Sequence, residues 1–166
     1  MTVTLRPLDR IAAVRVALAM READRREVFA LRWPGPEGDD PIAVGTAIAA
    51  AARFGCSAWA GGQPAAICGA FEPWPHGFSV FMVATDAWPA VAPAVHRWVL
   101  RVLRPGLLAA GARMAFCYSD ARHAAAHRWL ARLGAQPPHP LPGWGRDGED
   151  FLLFRWSAAD VLLQRP

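Results

Sequence analysis

Phe78-Ser79-Val80-Phe81-Met82-Val83, running into Ala84-Thr85-Asp86-Ala87-Trp88-Pro89-Ala90-Val91-Ala92-Pro93, decides the fold. The first stretch is apolar at both parities, which reads as a central strand covered on both faces. A strand of that kind needs helices above and below its sheet. The expected fold is therefore α+β, with a mixed, mostly antiparallel central sheet flanked by helices on both faces.

Upstream, Phe54 to Ala60 and Pro64 to Phe71 are strand-like runs joined by Gly61-Gly62-Gln63, a hairpin signal. A second turn, Pro73 to Gly77, feeds the central strand. Downstream, a helix is expected from Pro93 to Leu103, ended by Pro105-Gly106, with Val95, Trp98, Val99 and Val102 on one stripe and Arg97, Arg101 and Arg104 on another. Arg113 to Tyr118 is a further strand, Ala121 to Leu133 a helix packing Trp129 and Leu133 inward, and Phe151 to Trp156 a last strand.

Toward the amino terminus, Thr2 to Pro7 alternates as a half-buried strand, and Asp9 is placed to cap a helix beginning just after it. Ile11 to Leu31 is helical with a break near Met20. Trp33 to Pro41 carries three prolines and two glycines and must be a loop. Asp40 then caps an apolar helix with Pro41 at its first position. The order β, α, α, β, β, β, α, β, α, β suits one domain spanning residues 1–166.

Composition removes several classes. A hydrophobic fraction of 54% excludes disorder, and no apolar stretch reaches the roughly 20 residues that cross a bilayer. The first ten residues lack a secretion pattern, so a cytoplasmic protein is expected. Cys56, Cys68 and Cys117 are odd in number, far apart and in apolar contexts, which predicts free thiols and no metal site. All 18 basic residues are arginine, spread along the chain, and the net charge is +4, so nucleic-acid binding has no support.

Three stretches carry a family resemblance: Met20 to Val28; Asp120-Ala121-Arg122-His123 followed by His127 to Ala135; and Gly148 to Phe154. In that order and spacing they resemble the GNAT (N-acetyltransferase-like) superfamily, in particular the acetyltransferase-like or internal virion proteins of bacteriophages. The resemblance implies acetyl-CoA as cofactor. It places the pantetheine arm along Met82, Val83 and Ala84, and the pyrophosphate at the following helix start, near Trp88 and Arg97.

It also implies a base and an acid. Glu72 ends a strand near the place of the usual base, Tyr118 is the single tyrosine that could protonate a thiolate, and His123 stands where the phage group has asparagine. The usual tyrosine position falls on Leu130, which has no proton to give. Glu22 and Asp24 lie on the acceptor side. The turn from Ala84 to Pro93 has no glycine, two prolines and Asp86, which predicts weak acetyl-CoA binding.

Two functions stay open. One is an acetyl-CoA-dependent N-acyltransferase acting on an unidentified amine. The other is a non-catalytic phage or prophage virion protein that uses the fold as a scaffold and contacts other virion proteins. Trp33, Trp74, Trp88 and Trp144, all expected in loops, favour a contact surface, and self-association into a homo-oligomer is left open. A free slot between the fourth and fifth strands would favour catalysis, and one filled by Trp88 or Phe81 the scaffold.

Overall fold

A computed structural model describes residues 2–159. β1 (Val3–Pro7) leads to α1 (Arg10–Leu18), α2 (Glu22–Ala30) and α3 (Pro41–Ala51). Next come β2 (Phe54–Ala60), β3 (Gln63–Trp74) and β4 (Gly77–Ala84), then α4 (Trp88–Trp98), a π-helical segment (Val99–Leu103) and α5 (Arg104–Ala109). β5 (Met114–Asp120), α6 (Ala124–Arg132), β6 (His139–Leu141) and β7 (Phe151–Ser157) complete it.

The strands form one sheet in the order β1-β2-β3-β4-β5-β7-β6. Every pairing is antiparallel except β4 with β5, which is parallel. Gly61 and Gly62 both take left-handed φ, +57° and +79°, making the two-residue turn between Ala60 and Gln63 that only glycine enters without strain. Ile67 and Val83 pack under α1 and α3, whereas Phe78 and Ala70 pack under the π segment and α5 on the other face. The sheet is thus covered on both sides, as the apolar run Phe78–Val83 requires.

The break expected near Met20 is real: Met20 leaves the helix to bridge Thr85, and α2 starts afresh at Glu22. Asp9 caps α1 through Ala12 N–H, and Asp40 caps α3 through Ile42 and Ala43 N–H. α1 and α3 touch backbone to backbone, because Gly45 has no side chain to hold them apart.

Several expectations are corrected. Trp74 belongs to β3 and Trp88 opens α4, so neither is a loop residue. α4 begins at Trp88, not Pro93, which shortens the turn to Thr85, Asp86 and Ala87. Pro105 does not end the helical run: it follows the wide π turn and falls in the first turn of α5, where proline is tolerated. That turn also shifts the stripe by a residue, so Val102 is 53% exposed while Leu103 is buried. Finally, His139–Leu141 forms a strand despite Pro140, which an edge position tolerates.

Cys56, Cys68 and Cys117 are free thiols. Burial pushes the Cys56 thiol up to about 12 and raises Cys68 and Cys117 as well, so none is a ready nucleophile. Among the described residues no cluster of His, Cys, Asp and Glu could hold a metal ion, and no helix is long and apolar enough to cross a membrane.

Candidate active site

β4 and β5 part company early. Their pairing covers Gly77–Met114, Phe78–Ala115 and Ser79–Phe116 and then stops. Thr85 N–H donates to Ala65 O of β3, so the alternation of the ladder aims the backbone groups of Ala84, Met82 and Val80 at the opposite edge, toward β5. Beyond Ser79 that edge has no strand partner. A cavity of about 620 Å³ occupies the gap. Successive residues of both strands line it, Ser79 to Val83 and Met114 to Ser119. Because neighbours in a strand point to opposite faces, the cavity passes through the sheet. Glu27 and Val28 of α2, with Leu31 just past its end, close one side, and Ala126, Trp129 and Leu130 of α6 the other.

α2 spans the diverging strand ends. Asp24 Oδ2 accepts from Ala84 N–H at 2.7 Å, and Arg21 N–H donates to Ala84 O at 2.9 Å, which caps β4. One turn on, Glu27 Oε2 accepts from Asp120 N–H and from the Ser119 hydroxyl, both at 2.8 Å, which caps β5. His123, just beyond β5, sits between the two carboxylates. Its Nδ1 lies 3.3 Å from Glu27 Oε2 and its Nε2 3.8 Å from Asp24 Oδ1. These contacts of Glu27 all use Oε2; its side chain is 20% exposed and lines the cavity.

Burial raises the Asp24 carboxyl above the usual carboxylate range, against the pull of Arg21, 2.8 Å away. Its contribution to stability is therefore complete below the unfolded carboxylate range and lost as pH rises through the raised value. His127 is pushed the opposite way, downward, by burial, and its Nε2–H donates to Asp120 O at 3.0 Å.

Solved structures share this architecture. A protein from Salmonella typhimurium solved with its cofactor acetyl-CoA superposes with a TM-score of 0.69 at 13% identity, over 95% of this chain and 94% of that one. A GNAT-family protein from Desulfovibrio desulfuricans gives 0.65 at 15%, over 94% and 99%. The ribosomal-protein-S18-alanine N-acetyltransferase from Escherichia coli gives 0.62 at 17%, over 94% of both. The chain has the GNAT fold. No protein-family model matches it, and no curated protein matches it in sequence.

Within this GNAT fold the residues singled out from sequence scatter. Met82 and Val83 line the cavity. Ala84 borders it, with its backbone already taken by Asp24 and Arg21. Trp88 packs edge-on against Trp129 at 5.6 Å, joining α4 to α6, and is not a lining residue; nor does it fill the slot. Phe81 lines the cavity and stacks on Phe71 at 6.3 Å. Arg97 is exposed on the outer surface of α4.

Glu72 is not in the cavity wall either: Arg53 pairs with its carboxylate, which also accepts from His76 N–H at 2.9 Å. Tyr118 and His123 do line the cavity, as does the buried Leu130. Glu22 stays on the first turn of α2, outside the wall. Sequence reasoning missed Glu27. The available signal was its spacing from Asp24, which puts both carboxylates on one helix face.

The turn ahead of α4 is a poor anion cradle. Ala87 N–H donates to Thr85 Oγ1 (3.2 Å), Trp88 N–H to Thr85 O (3.0 Å) and Ala90 N–H to Ala87 O (3.1 Å), while Pro89 has no donor. The strand edge thus fits the amide-bearing arm of a pantetheine thioester better than the turn fits its pyrophosphate.

Proposed function

We infer that the protein is an N-acyltransferase that takes its acyl group from acetyl-CoA or a close thioester relative. The observation that supports this most is the through-sheet cavity opened by the splay after Ser79–Phe116, with Glu27, Asp24 and His123 gathered at its end. The acetyl-CoA bound by the Salmonella protein of the same fold supports the choice of donor.

In this reading the backbone groups of Met82, which face the β5 side of β4 beyond the last paired residues, hold the amide-bearing arm of the donor, as a missing strand would. The donor supplies the thioester carbonyl. Glu27 Oε1 takes the proton of the attacking amine, and Oε2 stays fixed by Ser119, Asp120 and His123, so the base is aimed before the amine arrives. Nitrogen bonds to the carbonyl carbon as the carbon–sulfur bond breaks. The Tyr118 phenol gives the departing sulfur its proton, and solvent returns a proton to Tyr118 and removes one from Glu27. His123 positions Glu27 and does not touch the reactants.

The test is incubation with acetyl-CoA and a panel of amines, following release of the coenzyme thiol and formation of N-acetyl product by mass spectrometry. Glu27→Gln should remove most turnover and Tyr118→Phe part of it. The second reading, a non-catalytic virion scaffold, has only the self-satisfied turn ahead of α4 to suggest it. It predicts neither thiol release nor donor binding.

A further inference from the structure

Four aromatic rings form a row along one wall of the cavity, and three of the four come from the two strands beside the slot or its hairpin. Trp74 of β3 stacks on Phe116 of β5 at 5.1 Å and 11°. Phe116 meets Tyr118 edge to face at 5.9 Å and 76°. Tyr118 stacks on Trp144, from the β6–β7 connection, at 5.6 Å and 23°. All four line the cavity.

The row lies on the α2 side of the sheet, because Ala115 and Cys117, of opposite parity on β5, pack toward α6. Glu27 stands on the same side, bonded to Ser119 and Asp120, the residues that follow Tyr118. The two tryptophans at the ends are 48% and 52% exposed, a cost in apolar surface that core packing does not explain. Neither ring hangs free. Trp74 lies so close over Gly77 that a Cβ there would come within 2.0 Å of its Nε1. Trp144 sits in a turn clamped by Gly143 N–H on Asp150 and Gly145 N–H on Glu149 O. Rigid aromatic faces leading to a carboxylate select a ligand with a planar ring at one end and a basic nitrogen at the other.

We propose that the acceptor is a primary amine carrying a planar aromatic group, its ring laid against Trp144 and its amine directed at Glu27. This rests on the acyl-transfer reading for the fate of the amine, but binding is measured without any donor.

The probes are 2-phenylethylamine, 2-cyclohexylethylamine and 2-phenylethanol, followed by calorimetry on the full chain. Cyclohexyl is the larger apolar group, so burial alone would favour it. Ring stacking should reverse that by about threefold or more, and loss of the amine should weaken binding by about tenfold. Trp144→Ala should cost about fivefold in affinity, Trp144→Phe much less, with unchanged melting temperatures. Equal or tighter binding of the cyclohexyl amine, or full affinity in Trp144→Ala, overturns the proposal. Acetyl-CoA added to the same samples separates the two claims. Acetylation that prefers the cyclohexyl amine contradicts the aromatic acceptor and keeps acyl transfer. Aromatic-selective binding with no acetylation of any amine supports the aromatic site and contradicts acyl transfer.

Discussion

His123 Nδ1 and Glu27 Oε2 meet at 3.3 Å across 96 positions of sequence, at the point where β4 and β5 have separated. The contact fixes one oxygen of Glu27 and leaves the other to the cavity. It ties the chemistry to the helix that caps both strand ends, so catalytic and structural roles are predicted to separate by substitution.

Glycine at position 45 is predicted to be indispensable for packing. A Cβ there would lie 2.6 Å from Val14 Cα and 2.8 Å from Ala13 O, backbone that cannot swing aside. Gly45→Ala should gain slightly in helix propensity yet lose about 2 kcal/mol or more overall, read from urea denaturation at constant slope.

Asp120 gives a pH-dependent term of known sign. The Arg122 guanidinium, bonded through Nε and Nη2 at 2.9 and 2.7 Å, holds its carboxyl below the ordinary range. Its folded value being lowered, the stabilisation is present above about pH 4, the unfolded value, and lost as pH falls through the folded value. Asp120→Asn should lower the urea midpoint at pH 7, moderated by the exposure of Arg122, and the two proteins should converge as pH falls through the lowered folded value of Asp120.

The turn before α4 is predicted to limit donor affinity. Asp86 is exposed in that turn and its charge opposes an incoming phosphate, although it suits the positive end of the helix. Asp86→Gly should tighten acetyl-CoA binding by several-fold in calorimetry, while lowering the melting temperature slightly through loss of the charge–dipole contact and gain of unfolded-state entropy. Unchanged affinity would place the weak point elsewhere.

The fold was legible where local chemistry dictates it. The Gly61-Gly62 turn, the caps at Asp9 and Asp40 and the doubly apolar Phe78–Val83 admit few alternatives. The π turn was not legible, because Val99 to Leu103 looks like any helical stripe and Pro105 like any stop. The site was legible in half. Tyr118 and His123 adjoin a recognisable helix start, but Glu27 sits in the charged run Arg25-Arg26-Glu27, indistinguishable from a solvated face until β5, more than 90 residues later, is laid against it. Glu72 looked equally suitable, and only the fold reveals that Arg53 takes it.

The central claim is that Glu27 is the base of an acyl transfer in the through-sheet cavity, and steady-state production of N-acetyl-2-phenylethylamine from acetyl-CoA tests it most directly. The account predicts measurable kcat in the unsubstituted protein and a fall of about 100-fold or more in Glu27→Gln, with an unchanged melting temperature, since the amide oxygen can still accept from Ser119 and Asp120. An equal kcat in both proteins would contradict it.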